Sequence, residues 1–441
     1  MNILEIEVDG LYDLYSYKIP FYNDEGITII YGPNGYGKTT ILKLIKDIIN
    51  GNITEINFIL FKRFKILFDN NFYIEVIKQN NERNNMIYKI NDHVFENELN
   101  KYQKENINDF HIPVSVISEY IPYLKRVGPR FWIDIRTNQR LSYDEIIDTY
   151  SDLFFINKEL YDVLSEIRKE ISVHFIEANR LFKPEVITDN VYDYYRKENV
   201  ILPAVLTYSK ELVKIIENKL AQSSAYTQEL DRTFPRRLIQ IMTSKNKDMI
   251  LSKEEINKEL VKLENKRKDL IEVGLLKPGN DVNVEPTGEI DEHTIKVLSL
   301  YIKDTQNKLN FFNDVEKKIN LMTSIINKRF LNKTMKIDIE KGGFIFELPD
   351  NKYLTAEKLS SGEQNELVLI YELLFKSKPN SIILIDEPEI SLHIAWQHEF
   401  LDDMIKISKL IGIKMLIATH SPDIINGRWD IAVGLGDNFD A

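Results

Sequence analysis

The chain has 441 residues, no cysteine and a formal net charge of −11, with 43% hydrophobic and 11% aromatic residues. That is room for two or three domains with a sizeable core in an ordinary globular protein, without disulfides or thiolate-held zinc, and its acidic balance argues against a uniformly basic surface that coats DNA. No run approaches the ~18 uncharged apolar residues of a membrane span and no basic-then-apolar leader opens the chain, so a cytoplasmic protein with no membrane partner is expected.

Three strand-like stretches come first: Ile3–Val8, Tyr15–Ile19 and Ile27–Tyr31. Tyr12 and Tyr15 have two readings, stacking on a flat base or strand packing, the second being the commoner use. After the third strand come Gly32, Pro33, Asn34, Gly35, Tyr36, Gly37, Lys38, Thr39 and Thr40, and then an apolar helical pattern, Ile41–Ile45. Strand, glycine loop and helix in this order are what a phosphate-binding loop requires. The glycines let successive N–H groups turn inward, and the helix start adds partial positive charge. Gly32 through Thr40 are therefore expected to cradle the phosphates of a nucleotide such as ATP, with Lys38 on the β- and γ-phosphates and the Thr39 hydroxyl on Mg²⁺.

Phe64–Phe68, Phe72–Ile77 and Met86–Ile90 are short, partly alternating and separated by Asn and Asp, which predicts an antiparallel meander. Residues 98–170 are mixed with mostly helical tendency, and Arg126, Arg130, Arg136 and Arg140 suit a solvated face or, less often, an acidic partner or nucleic acid. Ile171–Ile176 reads as a buried strand ending in Glu177 and Asn179, either a ligand-facing strand end or a capped turn.

Beyond Lys183 the period becomes helical for about 150 residues. Ser252 and Glu255 form a capping box, and Ile256, Leu260, Leu263 and Leu270 follow at heptad spacing. Leu298, Ile302, Leu309, Phe312, Ile319, Met322 and Ile326 repeat the period with one slip, past a turn-rich connection, Lys277–Gly288. The pattern predicts an antiparallel hairpin or small bundle, whose second helix would be about 60 Å long if continuous. Met335–Ile339 and Gly343–Leu348 form a strand hairpin around Lys341 and Gly342.

Leu359 to Gln364 then opens a helix with Ser360, Ser361, Gly362 and Glu363 at its start, able to offer hydroxyl and N–H groups to an anion. The apolar strand from Ser381 ends in paired acids: Asp386 would hold Mg²⁺ and Glu387 would polarise an attacking water. A further buried strand, Lys414–Thr419, ends in His420, read as a γ-phosphate sensor that also orients the water.

In this order Gly32–Thr39 resembles a Walker A motif, Leu359–Gln364 the ABC signature and Ile382–Glu387 Walker B. Ser391–His393 resembles a D-loop and His420 the switch histidine. The resemblance implies an α/β fold: an ABC ATPase head of the P-loop NTPase class, assembled from N- and C-terminal segments around a helical, short coiled-coil insertion. Its expected parts are 1–182 (N-terminal lobe), 183–330 (insertion) and 331–441 (C-terminal lobe). It further implies ATP and Mg²⁺ as cofactors, catalysis by Lys38, Glu387 and His420, metal contacts from Thr39 and Asp386, and Ser360, Ser361, Gly362, Glu363 and Ser391 contacting ATP in a homodimer or higher oligomer. No Q-loop glutamine is found, leaving Glu177 or Asn179 for that metal contact. Ser361 follows Lys38 by 323 residues, an insertion that resembles the SMC, RecF and OLD-like branch rather than transporter domains. OLD-type chains continue into a TOPRIM nuclease, whereas 21 residues follow His420 here, so a fused nuclease is not expected. Within the branch the chain is most similar to the AriA-type ATPase subunits of the PARIS anti-phage system, with the PtuA type of Septu second. The partners so implied are a nuclease effector and a phage-encoded trigger protein. A RecF- or SMC-like DNA-repair ATPase is the rival reading.

Overall fold

A computed structural model of the chain describes residues 1–22, 25–78, 85–98, 117, 121, 123–128, 131–136, 139–143, 145–146, 158–186, 199–243, 250–277 and 291–436. Arg130 and positions 278–288 of the turn-rich connection lie outside them. The strands β1 (Ile3–Leu11), β2 (Tyr15–Pro20) and β3 (Ile27–Tyr31) lead into helices α1 (Lys38–Asn50) and α2 (Ile53–Phe58). A meander follows: β4 (Arg63–Phe68), β5 (Tyr73–Lys78), β6 (Asn85–Ile90) and β7 (His93–Glu98). Next come β8 (Leu124–Gly128), β9 (Phe131–Asp134), β10 (Gln139–Ser142), α3 (Lys158–Glu170) and β11 (Val173–Ile176). The hairpin β12 (Phe182–Val186) and β13 (Asn199–Pro203) precedes α4 (Ala204–Thr243), α5 (Lys253–Glu272), α6 (Glu292–Asn310) and α7 (Asn313–Arg329). Then β14 (Thr334–Asp338), β15 (Gly343–Glu347) and β16 (Tyr353–Thr355) lead to α8 (Ser361–Tyr371). The chain ends with β17 (Ile382–Asp386), α9 (Ile394–Ile411), β18 (Lys414–Thr419), the single turn α10 (Pro422–Ile425) and β19 (Ala432–Gly434).

Two compact units divide these elements: Met1–Ala178 with Ser377–Ala441, and Asn179–Lys376. In the first, five strands pair in the order β11-β17-β18-β3-β19, every pair parallel. β17 is buried at every position, the continuous apolar run of a strand covered on both faces. A second sheet, ordered β2-β1-β4-β5-β6-β7, is antiparallel throughout, as the meander pattern predicts. Its strand β4 alternates between buried and half-buried, so one face serves the core. Ile41, Leu44, Ile45 and Ile48 of α1 share one hydrophobic cluster with Ile6, Phe64 and Tyr88 of the antiparallel sheet and Leu384 and Leu416 of the parallel one. The helix after the glycine loop is thereby locked by packing.

Strands β8, β9 and β10 form a three-stranded sheet where the sequence reads as mostly helical. Trp132 is fully buried on the inner face of β9, and strands of four or five residues are too short to outweigh a helical tendency in the sequence pattern.

In the second unit, α5 carries the predicted capping box, and Ile256, Leu260, Leu263 and Leu270 are its buried residues. The second heptad run is not one helix. It breaks between Asn310 and Asn313, at the slip in the apolar spacing, where Phe312 turns into the core and its carbonyl starts α7 by accepting from Glu316 N–H at 2.9 Å. The long continuous helix is α4, with 40 residues. Residues 331–376, expected in the C-terminal lobe, group with these helices. Phe330 stacks on Phe346 at 5.8 Å, the Ser209 hydroxyl of α4 donates to Gly342 O at 2.7 Å and accepts from Phe344 N–H at 2.8 Å, and Arg329 of α7 pairs with Glu366 of α8. The side chains of Arg329 and Glu366 are 1% and 0% exposed. Removing one partner of a buried pair strands the other charge. Arg329→Met is therefore expected to cost about 3–5 kcal/mol in urea unfolding, and the double variant Arg329→Met/Glu366→Leu to recover most of it.

Candidate active site

The parallel sheet sets the site. Strands β3, β17 and β18 run side by side, so Tyr31, Asp386 and Thr419 reach the same edge, and the segments that follow them meet there. The glycine loop after β3 closes against the chain end: a Cβ on Gly32 would stand 2.7 Å from Leu435 O. At Gly37, φ is +87°, and a Cβ would stand 2.5 Å from Leu11 Cδ2, so the residue before α1 has to be glycine. Tyr36 of the loop stacks on Tyr15 at 5.1 Å, and Tyr15 on Tyr17 at 5.8 Å. Tyr15 thus takes the packing role, while the Tyr12 hydroxyl lies 2.6 Å from Thr40 Oγ1.

Lys38 is 4% exposed, and its ammonium donates to Gly32 O at 2.8 Å and Pro33 O at 3.2 Å, with Glu387 Oε1 at 3.5 Å. Across 347 positions of sequence, the Thr39 hydroxyl stands 2.9 Å from both carboxylate oxygens of Asp386. Burial raises the Asp386 carboxyl above the usual carboxylate range, against the hydrogen bond from Thr39 and the charge of Lys38. Glu387 adopts φ +44°, a left-handed conformation that costs a non-glycine residue free energy and recurs at functional turns. From there its second oxygen meets His420 Nδ1. A pocket of about 410 Å³ opens beside these groups, lined by Tyr31, Gly32, Pro33, Asn34, His420 and Leu435.

The first unit therefore assembles Gly32–Thr40, Asp386, Glu387 and His420. Ser391, exposed at φ +65°, lies in the turn after β17. Glu177 follows β11, whose Ile176 pairs with Ile385, and is exposed one strand from Asp386. Ser360, Ser361, Gly362, Glu363 and Asn179 belong to the other unit. There Ser360 and Glu363 form a capping box on α8, and Glu363 also meets Lys333 at 2.5 Å. Burial alone would raise the Glu363 carboxyl, but Lys333 and the Ser360 N–H hold it below its ordinary value. Ser361 stays exposed.

One residue escaped the sequence reading. Glu389, two positions beyond Glu387 and 6% exposed, sits against Thr419 and His420. The signal is a third carboxylate in the run Asp386-Glu387-Pro388-Glu389, two positions beyond the paired acids.

Whether these residues suit a magnesium-bound nucleoside triphosphate can be judged from the cap of α1. Helices α5, α6, α8 and α9 each begin with a side-chain cap from Ser252, Asp291, Ser360 and His393. Helices α7 and α1 have none, and at α1 the N-cap is Gly37 of the glycine loop, so its first-turn N–H groups can serve an anion held in that loop. A lysine, a hydroxyl and a buried carboxylate converge beside them, a donor set for phosphates and a hard divalent cation. The residues fit. Thr39 and Asp386 would hold Mg²⁺, which when bound neutralises phosphate charge, and the loop with Lys38 would hold the phosphates.

Fold and site define a P-loop ATPase. A family model described as an AAA ATPase domain (AAA_15) matches residues 1–425, and the chain belongs to that family. No curated protein matches it. Among solved structures it is similar to the Smc head domain with an extended coiled coil, bound to the C-terminal domain of ScpA, from Pyrococcus furiosus (15% identity, 98% of this chain, 93% of that one, TM-score 0.39). It is also similar to an SmcHead bound to the C-winged helix domain of ScpA (13%, 98%, 94%, 0.39). A third is the SMC head domain from Thermotoga maritima (10%, 98%, 94%, 0.35).

Because burial raises the Asp386 carboxyl, the folded state holds that proton more tightly than the unfolded chain, and stability falls as pH rises through the folded-state pKa. Asp386→Asn is expected to raise the nucleotide-free thermal midpoint at pH 7 while Mg²⁺-dependent nucleotide binding is lost. The gain should shrink as pH is lowered below the folded-state pKa; scanning fluorimetry across pH checks both.

Proposed function

We propose that the chain hydrolyses ATP in an ABC-type arrangement, with two copies enclosing nucleotide between the glycine loop of one and the start of α8 of the other. The observation that carries this reading is the convergence of Lys38, Thr39, Asp386, Glu387 and His420 at one edge of the parallel sheet. In it, Glu387 acts as general base on the attacking water, His420 orients that water, and Lys38 carries the charge developing on the γ-phosphate. Support for the shared site comes from α8, where Ser360 is spent on the cap while Ser361 is left exposed beside Gly362.

The biological role we infer is that of an ATPase sensor and scaffold in anti-phage defence. The chain would control a separately encoded nuclease, of TOPRIM type, and release it on meeting a phage protein. Resemblance in motif order, insertion and the closing segment Thr419–Ile431 to the AriA-type subunits of PARIS supports this reading. Closure over ATP would then shift a conformational equilibrium rather than supply a product.

A second reading, a RecF- or SMC-like DNA-binding ATPase, is favoured by one described surface. On the outer face of the β8–β10 sheet, Lys125 and Arg140 both pair across Ile133, and Arg140 lies over the exposed Phe131 ring at 4.4 Å. ATP-dependent duplex binding that weakens steeply with salt would select it.

Lys38→Ala is expected to abolish ATP binding or turnover. Glu387→Gln is expected to lower kcat at least about 10²-fold while light scattering shows an ATP-dependent doubling of mass. Hydrolysis by Glu387→Gln at the unmutated rate would remove the general-base assignment.

A further inference from the structure

The turn after β18 hangs on one buried oxygen. Glu389 Oε1 accepts from the Thr419 hydroxyl at 2.6 Å, from the His420 N–H at 2.8 Å and from the Ser421 N–H at 3.2 Å. The same oxygen stands 2.9 Å from His420 Nδ1, while Glu387 meets that nitrogen from the other carboxylate. Three donors from consecutive residues thus converge on one acceptor that belongs to the turn after β17. The Glu389 side chain is 4% exposed, and Oε2 is buried without a hydrogen-bond partner. Carrying a carboxylate into such a place costs free energy that an apolar side chain of the same size avoids, so packing alone does not account for an acid here.

We propose that Glu389 is a positioning residue for hydrolysis at this site: it anchors the Thr419–Ser421 turn and turns Nδ1 of His420 toward Glu387. With Nδ1 engaged, Nε2 is the ring nitrogen left for the pocket that His420 lines. Glu387 itself has a left-handed backbone, and its carboxylate lies against neighbouring polar groups rather than free in solvent. Lys38, His420 and Glu389 all stand beside that carboxylate, and Glu389 also holds His420. The proposal rests on the reading of Glu387 and His420 as the groups that handle the attacking water. Its chemistry is that of one acceptor oxygen, which a glutamine carbonyl also supplies and an alanine does not.

The test compares the full-length unmutated chain, Glu389→Ala and Glu389→Gln in steady-state ATP hydrolysis with Mg²⁺, together with thermal midpoints. Loosening the turn should lower kcat of Glu389→Ala about 10²-fold, since ångström-scale misplacement of reacting groups costs that much, with KM for ATP within about threefold. Glu389→Gln should regain at least about tenfold of that loss. A purely structural role would lower the thermal midpoint without this split and without rescue. The proposal is overturned if Glu389→Ala keeps kcat within about threefold of the unmutated chain, or if Glu389→Gln is as impaired as Glu389→Ala in kcat. Should Glu389→Ala fail to fold, Thr419→Val removes a single donor and is expected to lower kcat about fivefold at unchanged KM; an unchanged kcat there also overturns the proposal. An unmutated chain that does not hydrolyse ATP would instead remove the reading of the site itself.

Discussion

The hydrogen bond between the Thr39 hydroxyl and the Asp386 carboxylate is the constraint on which the rest depends. It joins a loop near one end of the chain to a strand near the other, and it forms because β3 and β17 flank β18 in one parallel sheet. Parallel neighbours need long connections, and here one of those connections accommodates a whole second unit, Asn179–Lys376. The sheet tolerates the insertion because what it requires is register, with Asp386 opposite Ala418 and Thr419 opposite Tyr31. The groups of the candidate site lie where the apolar strands end.

That edge holds features that stability alone would remove. A buried carboxylate at Asp386, a left-handed Glu387, a buried acid at Glu389 and a helix without a side-chain cap each cost the folded state something. Beside them the apolar face of α1 packs in one cluster with side chains of both sheets. Together they place opposite charges beside the uncapped start of α1, which suits an anionic, metal-bound ligand better than any of them suits an apo protein.

Much of this was legible in the sequence because the signals are local. The glycine loop between an apolar strand and an apolar helix, the capping box at Ser252, and the heptad positions of α5 all depend on residues close together in sequence. What escaped depends on distant partners. Glu389 finds its donors 30 to 32 positions on, after α9 has brought the chain back, so nothing beside it announces them. The long helix α4 runs through Pro235, with Arg237 reaching back to Leu230 O at 2.8 Å and across to Asp304. The heptad slip near Phe312 was visible as a slip; that it marks a helix boundary follows from Phe312 turning into the core. Three short strands in 124–142 were masked by mixed composition and shown by the burial of Trp132.

Thr39 and Asp386, joined across the fold, are the metal half of the proposed nucleotide site. Calorimetric titration of ATP into the nucleotide-free full chain, with Mg²⁺ and with Mg²⁺ chelated, tests this most directly. The account predicts saturable one-site binding per chain with Mg²⁺, weakened severalfold or more by chelation. Absence of ATP binding, or binding of equal strength in both conditions, would contradict it.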